Sequence, residues 1–193
     1  MDNIEIYKTY FNEIKEKGKI TELSHRTALE NLLNKIKPNK IIQIIHEPKR
    51  DRDFGAPDFR VEVNGAIIGY IETKDIGTNI LKTIKTKQIQ RYLSLTENLM
   101  ITNYHEFCLI HNTDDQEEVT LFDENDIIIK KSELDSTNIR ELEKLFEVFF
   151  FAEPIRIGKS KKLAQHFASR GRILKEYIFD ILETKQDDEF TNK

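Results

Sequence analysis

The order of elements along this 193-residue chain predicts an α/β protein, of α+β type, built on a mixed central sheet. Three observations carry that expectation. Apolar residues at helical spacing alternate along the chain with short β-branched runs. Asn64-Gly65 joins two strand-like segments and is the strongest short hairpin signal in the sequence. No apolar run approaches the roughly 20 residues that cross a bilayer.

A first helix is expected over 4–17, closed by Gly18, and a second over 21–37, stopped by Pro38. The second aligns Leu29, Leu33 and Ile36 in one stripe, and Glu22 falls on the same stripe with His25 and Arg26 at its flanks. A first-turn acid also complements the helix dipole, so Glu22 has a structural reading beside a functional one. Ile41 to Ile45 reads as a buried strand, followed by a charged loop over 46–55. Pro57 to Val63 alternates apolar and polar, and Ala66 to Lys74 returns as the second hairpin arm. A helix is expected over 79–95, strands over 99–102 and 107–110, and edge strands over 119–122 and 127–130. A helix over 138–152 carries Leu142, Leu145, Phe146 and Phe149 on its core face, and Pro154 ends it. One long basic helix is expected over about 159–183.

Composition excludes several classes. Thirty basic against 34 acidic side chains give a net charge of -4, and 38% hydrophobic residues with 12 Phe describe a folded chain rather than a disordered one. The single Cys108 excludes an internal disulfide and a cysteine-based zinc cluster, and reads as a small core residue. The histidines lack H-E-x-x-H spacing, and Gly158-Lys159-Ser160 lacks the leading glycine of a phosphate loop, since that position is Glu153. The first residues are acidic where a signal peptide is basic, so a cytoplasmic protein without membrane association is expected. Charge is unevenly spread. Seven bases and no acid lie over 155–175, and seven acids and no base over 114–126, so the net charge does not argue against a polyanionic partner.

Three polar residues mark strand ends: Asp58, Glu72 and Lys74. Glu72 and Lys74 share one face by the two-residue period. A strict two-residue turn at Asn64-Gly65 sets Asp58 opposite Ile71, whereas one extra residue sets it opposite Glu72 and returns Phe59, Val61 and Val63 to the apolar side. A bulge or a longer loop is therefore expected, and Gly69 is the natural place for a bulge. Two carboxylates meeting at a sheet end suit Mg2+, with Mn2+ as substitute, because such an ion takes few protein oxygens and keeps its waters. That ion would polarise a phosphodiester and activate water, with Lys74 orienting the water or neutralising developing charge.

Pro57-Asp58 followed by Glu72-Thr73-Lys74 resembles the PD-(D/E)xK nuclease signature, and Gln88 to Tyr92 matches the Q-x-x-x-Y motif that accompanies it in one branch. The phrases Thr21 to Arg26, Gly55 to Phe59, Ile71 to Asp75 and Leu99 to Tyr104 are similar to the N-terminal nuclease domain of type IIG and type ISP single-chain restriction–modification enzymes. The resemblance implies a restriction-endonuclease-like core over 1–152 and a basic helical extension or connector over 153–193. It implies metal ligation by Asp58, Glu72 and the Thr73 carbonyl, catalysis by Lys74, and a helix glutamate completing the site, Glu22 before Glu30. Gln88 would point toward the metal, and Tyr92 would fix its helix or touch phosphates. With Arg26, Tyr92, Lys82, Lys85, Arg91, Lys159, Lys161 and Lys162 along the DNA, the expected activity is Mg2+-dependent cleavage of DNA phosphodiesters. The implied partners are methyltransferase, specificity or motor modules of a parent enzyme, and a transient dimer for double-strand cutting. Two other readings stand beside it: a nuclease-fold module that binds DNA or partners without cutting, and a helicase-associated assembly domain.

Overall fold

Helices and strands follow each other in the order α1 (Asn3–Lys17), α2 (Glu22–Ile36), β1 (Ile42–His46), β2 (Phe59–Val63), β3 (Ala66–Thr73), α3 (Ile80–Ile84), α4 (Lys87–Leu93), β4 (Leu99–Thr102), β5 (Glu106–Asn112), β6 (Asp115–Thr120), α5 (Glu124–Ile129) and α6 (Ser136–Phe150). The structure is a computed structural model that describes residues 3–18, 22–48, 56–112, 114–129 and 134–154 with Gly171 and Lys175, and for 22–24, 128 and 129 the backbone only. Met1–Pro48 and Pro57–Ile155 form one compact unit, which contains every element above. The basic helix expected over 159–183, with Lys159, Lys161 and Lys162, lies outside the described residues.

The six strands pair in sequence order, antiparallel except for the parallel β3–β4 pair, so the sheet is mixed as expected. The parallel pair needs a crossover, which α3 and α4 provide. Helices cover both faces. On one, α1, α2 and α6 pack Tyr7, Phe11, Leu33 and Phe146 against Phe59, Ile71 and Met100. On the other, Ile80, Ile89 and Tyr92 of the crossover pack against Tyr70, Leu99 and Ile101. This burial of both sheet faces is the restriction-endonuclease-like α+β architecture.

The hairpin contains the expected irregularity. Asn64 and Gly65 take positive φ of 51° and 76°, and Val63 pairs with Ala66 across a two-residue turn. Val61 then pairs with Gly69 but Glu62 with Ile67, so the extra residue on β3 is Ile68 and not the expected Gly69. Beyond it Phe59 pairs with Ile71, which brings Asp58 level with Glu72. The Asn98 side chain donates to the Ile68 carbonyl at 2.8 Å and to the Phe149 carbonyl at 2.9 Å, tying the bulge to α6. Gly69 is glycine for space, because a Cβ there would stand 2.6 Å from Asn98 Nδ2 and 2.7 Å from the Asn98 carbonyl oxygen.

Three local expectations are corrected. The helix over 79–95 is two helices, because Thr86 turns out of the helical region and its hydroxyl caps Ile89 N–H, while Gln90 Nε2 donates to the Ile84 carbonyl left at the break. Residues 127–129 of the strand expected over 127–130 are instead part of α5, and Lys130 lies outside the described residues. Asp126 accepts from Asp123 N–H and Asp123 from Asn125 N–H, a reciprocal start that outweighs the β-branched run behind it. The edge strand expected over 119–122 instead runs from Asp115 to Thr120, and acidic residues form half of it. Exposed carboxylates along β6 protect that edge from pairing with another chain.

Candidate active site

The end of β3 is where the singled-out residues gather. Asp58 just precedes β2, and its carboxylate adds a rung beyond the strand ladder: Oδ2 accepts from both the backbone N–H and the hydroxyl of Thr73, each at 2.7 Å. Its Oδ1 accepts from Arg26 Nη2 at 2.5 Å. Arg26 reaches across from α2, with Nε directed to the Thr73 hydroxyl at 3.3 Å and Nη1 on Glu47 Oε1 at 2.9 Å. Glu47, one residue past β1, holds a left-handed φ of 45° while its N–H donates to the Asp58 carbonyl at 2.8 Å.

Glu72 turns to the other face. It is 3% exposed, and its Oε1 accepts from Lys74 Nζ at 2.7 Å and from Gln88 Nε2 at 2.8 Å. Gln88 comes from α4, and one turn on Tyr92 places its hydroxyl 3.4 Å from the same amide nitrogen. Tyr92 is buried, and its phenol is pushed up to about 12, first by burial and then by the negative charge of Glu72, with Asp58 adding to it. Phe59 pairs with Ile71, so Asp58 and Glu72 stand at the same end of the β2–β3 pair.

The sequence-predicted set divides accordingly. Asp58, Thr73 and Arg26 meet on the α2 side; Glu72, Lys74, Gln88 and Tyr92 meet on the α4 side. The Glu22 side chain lies outside the described residues. Glu30 is paired with His46 Nδ1 at 3.1 Å, and that imidazole stacks on Phe59 with ring centroids 4.7 Å apart. Lys82, Lys85, Lys87 and Arg91 are exposed on α3, α4 and the turn between them, and among the described residues none of the four has an ion-pair partner. Tyr92 is not part of that surface. Cys108 is buried as expected, and burial raises its thiol to about 12. Of the Phe run, Phe149 and Phe150 are core and Phe151 is exposed.

Glu47 is the site residue that sequence reasoning missed. It stands in a charged loop, and nothing in its neighbours announces the left-handed backbone that turns its carboxylate toward Arg26.

Among the described residues no group of three or more His, Cys, Asp or Glu could hold a metal ion. The carboxylates at the strand end are those of Asp58 and Glu72, both hard-oxygen groups.

No family model and no curated protein matches the chain. Among solved structures, a chain in a cryo-EM structure of a DrdV–DNA complex superposes with a TM-score of 0.60 and 20% identity. The likeness is one of fold. It covers 86% of this chain and 15% of that one, so this chain spans a small part of the protein it resembles. Among the described residues no helix is long and apolar enough to cross a membrane.

Proposed function

We propose that this chain is a Mg2+-dependent endodeoxyribonuclease module that hydrolyses DNA phosphodiesters, the cleavage part of a restriction–modification enzyme. One observation carries the reading. The Ile68 bulge brings Asp58 level with Glu72-Thr73-Lys74 at a strand end, next to an exposed basic surface on α3 and α4. The fold is shared with a chain captured on DNA, which supports a nucleic acid as partner.

The donor set fits a hard divalent cation. Asp58, Glu72 and the Thr73 carbonyl would hold it, and Mg2+ favours one or two carboxylates with its remaining positions kept by water. Such a cation supplies Lewis-acid polarisation of the phosphate and a more acidic water. The chain's own residues supply the rest. Lys74, a fifth exposed and anchored on Glu72, keeps a positive charge where negative charge grows on the phosphate oxygens. Gln88 fixes the Glu72 carboxylate from α4, and Tyr92 braces Gln88. Lys82, Lys85, Lys87 and Arg91 bind the backbone without reading sequence. Base recognition, methyl transfer and any motor belong to other modules of a parent chain, with residues 153–193 as connector. Cutting both strands calls for two copies.

The test is nicking of supercoiled plasmid by purified protein with Mg2+ or Mn2+, beside Asp58→Ala and Lys74→Ala. Metal-dependent nicking by the wild type, lost in both variants, is the expected result. Nicking that survives Asp58→Ala would place the chemistry elsewhere. A protein that binds DNA but neither cuts it nor takes up metal would be a binding module.

A further inference from the structure

Asp58 and Glu72 belong to adjacent strands at one end of the sheet, yet they are engaged from opposite faces. Of the roughly four lone-pair positions on the Asp58 carboxylate, Thr73 takes two through Oδ2. The oxygen left for a further cation is Oδ1, and that is the one Arg26 holds. An arginine does not lose its proton in a protein, so this charge cannot be titrated away. It leaves Asp58 only by moving. A dication placed on Asp58 beside the guanidinium would meet like charge at contact range, in a setting where Arg26 is only 12% exposed and water screens poorly.

Arg26 also has a second anion ready. Glu47 accepts from Nη1, and its carboxylate is 64% exposed at the mouth of the cluster. Its left-handed backbone is a conformation that a non-glycine residue holds only when the surroundings impose it. The guanidinium therefore bridges an inner carboxylate, Asp58, and an outer one, Glu47.

Building on the metal-dependent reading above, we propose that Arg26 is a built-in competitor for the divalent cation. It occupies Asp58 Oδ1 and is displaced toward Glu47 when a cation binds at that oxygen. Metal affinity is thereby set by a residue that is not a ligand, and the site charges only when cation supply overcomes an internal counter-ion. On the same account, the guanidinium moves outward as the cation enters.

The experiment measures Mn2+ binding to the full chain by electron paramagnetic resonance, for the wild type, Arg26→Gln, Arg26→Lys and Asp58→Asn, with thermal unfolding as a check on folding. Arg26→Gln should tighten Mn2+ binding about tenfold, within the usual range of coupling between two sites. Arg26→Lys keeps the charge and should stay near wild type, and Asp58→Asn should lose the site. If Arg26→Gln does not fold, the wild type alone decides: the Arg26 Nε–H resonance should shift as Mg2+ is titrated in, and not in Asp58→Asn. Asp58-dependent binding that Arg26→Gln leaves unchanged or weakens, or an Nε–H signal indifferent to bound Mg2+, would overturn the competitor and leave the metal site standing. Absence of Mn2+ binding in every protein would remove both.

Discussion

Lys74→Met and Glu72→Gln cut the same 2.7 Å ion pair from its two ends, and the structure makes their costs unequal. The Glu72 side chain is 4% exposed and that of Lys74 20%. Removing the ammonium leaves a carboxylate charged inside the protein, where breaking a buried pair from one side costs about 3–5 kcal/mol. Water reaches the lysine end and screens the remaining charge, so the cost falls below that range, to about 2–3 kcal/mol. Removing the carboxylate's charge instead leaves a lysine that solvent can accommodate and an amide that still accepts from Gln88 Nε2, for a cost of about 0–1 kcal/mol. Urea unfolding reads this directly. With a slope near 2 kcal/mol per M, the Lys74→Met midpoint should fall by roughly 1 M and the Glu72→Gln midpoint by less than about 0.5 M. The double variant should recover most of the loss, because it buries no uncompensated charge. Equal destabilisation by the two single variants would refute the reasoning, since the two ends of the pair would then be compensated alike when left alone.

Three further outcomes follow from the same geometry. Gly69→Ala should destabilise by about 4 kcal/mol in the same assay, because the new methyl meets the Asn98 backbone and displaces an amide that makes two buried hydrogen bonds. The fold should also weaken in alkali: the Tyr92 phenol is raised to about 12 against an ordinary 10, so between those pH values the unfolded chain has shed a proton that the folded one keeps. Stability then falls as pH rises through that window, by up to about 1.4 kcal/mol per pH unit from this group, and Tyr92→Phe should flatten denaturation curves recorded at pH 9, 10 and 11 by that amount. Finally, replacing Lys82, Lys85 and Arg91 together by alanine should lower the salt dependence of duplex DNA binding by about 3 units of log–log slope, measured by fluorescence anisotropy, with no change in sequence preference.

What the sequence by itself determined was local and periodic. Alternation, β-branched runs and the Asn64-Gly65 turn specified the hairpin, and counting residues around that turn required an extra one before Asp58 could face Glu72. The stripes of Leu29 and Leu33 in α2, and of Leu142 and Phe149 in α6, announced which faces would be buried. Where the reading failed, competing local chemistry was decisive. Thr86 split a helix by capping one, and the Asp123–Asp126 pair started a helix where three isoleucines suggested a strand.

The partners of Asp58 were settled only by tertiary structure. Arg26 and Glu47 are 21 residues apart and Asp58 lies further on, so their meeting depends on how α2 packs across β1 and β2, a relation without sequence period. The bulge tells the same story. Its existence followed from register arithmetic, but its place at Ile68, one residue before Gly69, depends on Asn98, the residue before β4, filling the space above the glycine and satisfying the freed carbonyl. Spacing along a chain fixes which side chains share a strand face or a helix stripe. Which charge answers which is decided by packing between elements distant in sequence, because a buried carboxylate must be compensated by whatever cation the fold brings within reach.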